Sequence, residues 1–323
     1  METVELRPLS LGELLDRTFS LYRRHFWVFV GIMAIPSAFM IPANVLLLSV
    51  QGSIMNTASS GRPPIMPTPG LIGGIVAGYF LFLIIVGVVY AIATGAATCA
   101  VADTYLGRSA TVRGSFARIR GRFWKLMGVF FNIMLRVMGF LLLFMGVAVG
   151  LVAGIGFAGG ARGNPVIAAL VAILAVLVYI AGLVLCVWFA LRYSVSIPVL
   201  MIENTGVFDT IRRSVLLTRG RRGHIFLALL IGAIIAYVGV IVFQGPFMVF
   251  TMISAMRGHW PAWLAPVSAV SAAIGGSITG PISMIVIVLL YYDTRIRKEA
   301  FDLQFMMSSL DQPAPAAGTV SPA

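Results

Sequence analysis

The run Val166-Ile-Ala-Ala-Leu-Val-Ala-Ile-Leu-Ala-Val-Leu-Val-Tyr-Ile-Ala-Gly-Leu-Val-Leu-Cys-Val-Trp-Phe-Ala-Leu191 carries no charge from end to end. A helix needs about 20 apolar residues to cross the roughly 30 Å hydrocarbon core of a bilayer. A strand reading fails, because the run is too long and lacks the alternation that a half-buried strand shows. Extended to its edges, it is one of six such segments: Phe26–Val50, Leu71–Val101, Phe123–Phe157, Val166–Pro198, Ile225–Ile253 and Trp263–Tyr292. The first follows a polar, amphipathic stretch and contains Pro36 and Pro42, which separates it from a cleavable signal peptide. Of the 323 residues 59% are apolar and 11% charged, against about 45–50% and about 25% in soluble domains. The composition excludes an ordinary soluble enzyme. The sequence predicts an all-α integral membrane protein with six transmembrane helices.

The links set the expected orientation. Eighteen of the 23 basic residues lie before the first segment, in the second and fourth links and after the last segment; the opposite links carry Arg62, Arg162 and Arg257. The positive-inside rule then places both termini in the cytoplasm, which six crossings satisfy. Trp27 and Trp124 fit an aromatic belt at the inner edge, and Trp260 and Trp263 one at the outer edge. The net charge of +12 reads as loops lying against anionic lipid rather than as a nucleic-acid surface.

Each odd-numbered crossing is preceded by a basic amphipathic stretch. At an offset of 99 residues, Arg113, Ser115, Arg120, Gly121 and Arg122 match Arg212, Ser214, Arg219, Gly220 and Arg221, and Gly107 matches Gly206. At an offset of 97, Phe19, Arg23, Phe26 and Trp27 match Phe116, Arg120, Phe123 and Trp124. The expected design is a threefold internal repeat, each unit a cytoplasmic-side interfacial amphipathic helix followed by two crossings. The units span about 9–101, 109–198 and 206–292. A short cytoplasmic helix at 293–307 completes the 1–307 domain, and 308–323 read as a disordered tail. In the first stretch Ser10 and Glu13 have capping-box spacing and Leu9 and Leu14 that of a hydrophobic staple. Its apolar face reads Leu11, Leu14, Leu15, Thr18, Phe19, Tyr22 and Phe26. Such a helix can lie among headgroups or pack on the bundle. Gly121 and Gly220 stand where the second and third of these helices are expected to stop.

Three stretches also resemble a known family. Leu6-Arg-Pro-Leu-Ser-Leu-Gly-Glu-Leu-Leu-Asp-Arg-Thr-Phe-Ser-Leu-Tyr-Arg-Arg24 resembles the opening of bacterial glycerophosphoryl diester phosphodiesterase membrane-domain proteins. Glu203-Asn-Thr-Gly206, with Ile211-Arg-Arg-Ser214 and Leu217-Thr-Arg-Gly220, is similar, as is Tyr291-Tyr-Asp-Thr-Arg-Ile-Arg-Lys-Glu-Ala-Phe-Asp-Leu303. The chain departs from that pattern at Arg221-Arg-Gly-His224, where the family has aromatic residues. The resemblance implies a module of the bacterial plasma membrane, sometimes attached to a phosphodiesterase barrel. Such a barrel takes about 250 residues, and only 31 follow Tyr292 here.

The residues offer little chemistry. His25, His224 and His259 sit at opposite membrane edges in this topology and do not converge on one metal. Gly275-Gly-Ser277 resembles an intramembrane serine site, but no histidine lies within a crossing to activate it, and it reads as packing. Cys99 and Cys186 read as packed thiols. All eleven acidic residues fall in stretches assigned to the cytoplasm, which argues against a proton- or cation-coupled transporter. Gly74/Gly78 and Gly146/Gly150/Gly154 have the spacing of helix contacts.

The conspicuous intramembrane ion is Arg136, with Asn132 one turn before it on the same face. The pair is a candidate site for a lipid headgroup or another anion; the alternative is an arginine that snorkels to the inner surface. Arg17, Arg23, Arg24, Arg113, Arg120, Arg122, Arg212, Arg219 and Arg221 are candidate interfacial contacts to anionic lipid. The expected function is a non-catalytic membrane module that associates with anionic lipids, a membrane-protein partner or a second copy, with no cofactor. A transporter for a small or anionic solute and a lipid-modifying membrane enzyme are the alternatives.

Overall fold

The computed structural model describes residues 9–59, 69–157 and 165–299. The tail expected at 308–323 and residues 300–307 of the expected last helix lie outside them. The described residues form α1 (Leu11–Arg24), α2 (Phe26–Phe39), α3 (Ile41–Ser59), α4 (Pro69–Tyr105), α5 (Val112–Ile119), α6 (Phe123–Phe157), α7 (Pro165–Tyr193), α8 (Ser196–Glu203), α9 (Val207–Thr218), α10 (Arg222–Arg257) and α11 (Leu264–Glu299), with no strand among them. Five helices are long and apolar enough to cross a membrane, or six if the bent pair α2–α3 is one span.

That pair is bent by 41°. Pro36 and Pro42 flank the bend and both lack an N–H. The Met40 N–H at the break reaches back to the carbonyls of Pro36 and Ser37, each at 3.2 Å.

α11 is the centre of the assembly. It packs on α10, α2, α3, α1 and α4. Its buried face includes Ile285, Leu289, Tyr291, Tyr292 and Asp293. It continues without a break through Glu299, so residues 293–299 extend the last long helix rather than begin a new one. α6 and α7 pack mainly on each other, and most of their remaining surface is open. An apolar helix needs no protein cover where lipid supplies it.

Three short amphipathic helices precede candidate spans: α1 before the bent pair α2–α3, α5 before α6, and α9 before α10. α1 starts at the expected capping box: the Glu13 N–H donates to Ser10 Oγ at 3.3 Å, and the Ser10 N–H donates to Glu13 Oε2 at 2.8 Å. Its buried positions are Leu14, Thr18 and Leu21, while Phe19 is exposed. Leu14 and Thr18 belong to the expected face, and Leu11 and Tyr22 from that face also pack against the core, so Phe19 alone of its residues is exposed. The Tyr22 hydroxyl donates to the Ile278 carbonyl on α11 at 2.6 Å. Burial pushes its pKa up and keeps it a donor.

Gly220 ends α9 with φ +83°, in the left-handed region that a glycine enters at no steric cost. Gly121 does not play that part. It sits in a 3-10 turn, Arg120–Arg122, that runs from α5 directly into α6. The glycine spacings on α4 and α6 also differ from expectation. An added Cβ at Gly74, Gly78, Gly146, Gly150 or Gly154 would meet nothing within 4 Å, so no described helix packs there.

Candidate functional site

The basic residues gather at one end of the molecule, where α1, α5, α8 and α9 meet the ends of α4, α6, α10 and α11. Three carboxylate clusters hold this end together. Asp293, whose side chain has no solvent exposure, is the first. Its Oδ1 accepts the backbone N–H of Leu9 at 2.9 Å and Arg297 Nε at 2.8 Å. Arg297 Nη2 also donates to the Leu9 carbonyl at 2.7 Å, which fixes the start of the described chain to α11. Asp293 Oδ2 faces Arg221 Nη1 at 3.5 Å and His224 Nε2 at 3.9 Å. At Arg221-Arg-Gly-His224, two of the four residues thus turn toward a buried carboxylate.

The second cluster joins α8, α9 and α11. Glu203 accepts the Tyr291 hydroxyl at 2.8 Å and Arg213 Nε at 3.0 Å. Arg213 Nη2 reaches Glu299 Oε1 at 2.6 Å, and Arg295 Nε lies 3.3 Å from Glu299 Oε2. Lys298 Nζ donates to the carbonyls of Leu216 and Arg219, each at 2.7 Å. A cation at the C-terminal end of α9 suits that helix dipole. The third cluster is the two-bond pair of Asp103 with Arg118, at 3.1 and 3.0 Å, between α4 and α5. The hydrogen bond to Asp103 pushes the Arg118 pKa up.

The expected headgroup arginines divide accordingly. Arg17, Arg23, Arg24, Arg113, Arg120, Arg212 and Arg219 are exposed. Arg17 stands over the Tyr105 ring at 5.6 Å. Arg122 is half-buried and donates to the Met201 carbonyl. Arg221 is half-buried against Asp293. A groove of about 930 Å³ on the outer side of α1 is lined by Phe19, Tyr22 and Phe26 together with Asp16, Ser20, Arg23 and Arg24. Trp27 and Trp124 are 81% and 83% exposed beside this end. Each meets its preceding phenylalanine edge-on, at 5.3 and 5.4 Å.

Arg136 is exposed at the seam of α6 and α7, and its Nη1 donates to the Tyr193 hydroxyl at 3.0 Å. Asn132 is half-buried, and its Oδ1 accepts no hydrogen bond. Sequence reasoning missed the surroundings of Trp188. Arg192 and Arg222 each place their guanidinium carbon 5.1 Å from its ring centroid. The signal was present: Arg192 follows a charge-free run, and Arg222 stands at the start of the next long helix. Among the described residues no group of three or more His, Cys, Asp or Glu side chains could hold a metal. Ser277 Oγ donates to the Ala273 carbonyl at 2.7 Å, a bond within its own helix.

Long apolar helices with a polar, ion-paired end define a helical multi-pass membrane protein. Residues 166–307 match the family model of the membrane domain of glycerophosphoryl diester phosphodiesterase. The match holds α7 to α11 and the whole of the second cluster. The resemblance of residues 6–24 falls outside the matched span. No curated protein matches the chain, and no solved structure does.

Proposed function

We propose that the chain is a non-catalytic module of the bacterial plasma membrane, with six spans and both termini in the cytoplasm. Its basic end docks on the anionic headgroups of the inner leaflet. The observation that carries this reading is the division of charge at that end. The carboxylates Asp103, Glu203, Asp293 and Glu299 are taken up by Arg118, Arg213, Arg221, Arg295 and Arg297. Arg23, Arg113, Arg120, Arg212 and Arg219 are left exposed, with no ion pair to a described carboxylate, and they outnumber the exposed carboxylates Asp16 and Asp209 on the same short helices. Exposed arginines flanked by exposed tryptophans suit a headgroup plane. The groove on α1, with phenyl rings and two arginines, suits a phospholipid: rings for the chain and guanidinium for the phosphate.

The threefold repeat belongs to the same proposal. Thr18, Ser115 and Ser214 fall at the two repeat offsets, and each is buried at 3% exposure or less. Each hydroxyl donates to a carbonyl, of Leu14, Thr111 and Arg192 respectively. A small hydroxyl residue at this position lets each short helix sit close to the bundle. In this design α1, α5 and α9 each bury one side on the bundle and turn arginines to the headgroups.

The test uses the full chain in nanodiscs of mixed phosphatidylglycerol and phosphatidylcholine. Phosphatidylglycerol should be enriched around the protein at low salt and lose that enrichment as salt rises, since exposed charges are screened within about 10 Å at 0.1 M. Replacing Arg23, Arg113, Arg120, Arg212 and Arg219 by glutamine should abolish the enrichment. Equal retention of both lipids by the unaltered chain overturns the reading, and a solute-dependent flux in proteoliposomes would mark a transporter instead.

A further inference from the structure

We infer that Arg192 and Arg222, stacked on Trp188 where α7 ends and α10 begins, form a binding site for a phosphate group. The inference rests on the proposed reading of the basic end as the headgroup-level end of the molecule, and it concerns residues which that reading does not use.

Both guanidinium carbons lie 5.1 Å from one ring centroid, so they are at most about 10 Å apart. Two like charges this close repel. Elsewhere at this end, Arg213, Arg221, Arg295 and Arg297 answer to carboxylates. Arg192 and Arg222 have no carboxylate within ion-pair distance among the described residues. Their Nε–H groups are shielded from solvent and donate to nothing. Half-burying two cations without a counter-charge is costly. A group that supplies two or more anionic oxygens at this point would remove that cost.

The level in the membrane suits a phosphate. α7 begins at Pro165. At 1.5 Å per residue, the hydrocarbon core takes up about 20 residues, which leaves Trp188 to Tyr193 at the headgroup boundary. α10 starts there too, at Arg222. α7 packs chiefly on α6, and α10 chiefly on α11, so the two helices touch each other only slightly. Stacking on an indole holds a guanidinium plane in place and leaves its Nη edge to form the two-bond contact that phosphate accepts.

The phosphate could belong to a lipid headgroup or be free in solution, and the experiment separates these. The full chain is stripped of lipid in detergent at high salt, where surface association is screened. It is then titrated with phosphatidylglycerol, with phosphatidylcholine or with inorganic phosphate. Binding is read by native mass spectrometry and by protection of Arg192 and Arg222 from an arginine-modifying dicarbonyl. Protection by phosphatidylglycerol but not by inorganic phosphate identifies a lipid site; protection by inorganic phosphate identifies a soluble one. Arg192→Gln/Arg222→Gln should weaken the protecting ligand at least about tenfold. The exposed-arginine variant described above should bind at high salt as the unaltered chain does. If it loses high-salt binding while Arg192→Gln/Arg222→Gln keeps it, the site is misplaced and the inference falls while the headgroup reading stands. Failure of every ligand to protect either arginine in the unaltered chain overturns the inference without any variant having to fold.

Discussion

α11 and α6 are both long and apolar, yet they relate to their surroundings in opposite ways. α11 is the least hydropathic of the five unbent candidate spans and by far the most buried; α6 is more hydropathic and has few fully buried residues. A water-soluble protein would sort them the other way. In lipid the order inverts, because hydrocarbon covers an apolar helix at no cost, whereas hydroxyl groups and small residues gain from contact with protein. The glycines show it. An added Cβ at Gly239 would lie 2.3 Å from Thr279 Cγ2, and one at Gly275 2.9 Å from Phe243 Cβ. One at Gly139, Gly146, Gly150 or Gly154 on α6 meets open space. Polar side chains follow the same division: on the α10–α11 seam the Ser271 hydroxyl donates to the Phe243 carbonyl at 2.8 Å, and the Gln244 amide Nε2 to the Ser268 carbonyl at 3.1 Å.

The largest expected effect lies at the buried end of α11. Asp293→Ala removes the carboxylate shared by Leu9, Arg221 and Arg297, and loss of one partner from a buried ion pair costs about 3–5 kcal/mol. The folded yield in detergent should collapse, with α1 the first helix exposed to protease. An unchanged melting temperature would show that α11 does not anchor this end. Next comes Gly239→Ala, which places a methyl group against Thr279. Overpacking of this kind costs about 1–3 kcal/mol, while Gly146→Ala on α6 should leave thermal unfolding unaltered. Equal effects of the two would erase the contrast between the helices.

Arg136 sharpens the same comparison with a smaller change. It sits on the exposed helix, and its recorded partner is the Tyr193 hydroxyl. Arg136→Leu should lower the melting temperature only slightly, by the roughly 0.5–1.5 kcal/mol of one hydrogen bond. A loss as large as that of Asp293→Ala would show α6 to be held by protein after all. The smallest effect concerns pH. Burial, aided by the neighbouring Arg24 charge, lowers the His25 pKa below its ordinary 6.5. Below that value the unfolded chain takes up a proton that the folded chain resists. Stability is therefore lost as pH falls below about 6.5, and above that value, where both states are neutral, the histidine costs nothing. Melting curves at pH 7.5 and 5.5 should converge in His25→Gln relative to the unaltered chain.

The sequence made the spans legible because the physical demand is blunt: a charge-free run such as Val166–Leu191 has few other uses. The capping box at Ser10 was legible for the same reason, being a local device of four residues. The bend at Met40 was half legible, since Pro36 and Pro42 were visible but not whether the chain would kink or cross. The basic end was read only as to side. Which arginine meets lipid and which meets Glu203 or Asp293 depends on partners as much as 288 positions apart in the chain, as Leu9 and Arg297 are. Trp188 was invisible as a meeting place, because Arg192 and Arg222 come together only once α7 and α10 are side by side.

The central claim is the orientation of the basic end, and single-cysteine labelling tests it most directly. With Cys99 and Cys186 replaced by serine, Ser109→Cys marks the exposed link between α4 and α5, at the basic end, and Met256→Cys the exposed end of α10. In intact cells a membrane-impermeant thiol reagent should label the cysteine at 256 and leave that at 109 untouched until the membrane is opened. Labelling at 109 in intact cells would place the arginines on the outer surface and contradict the account.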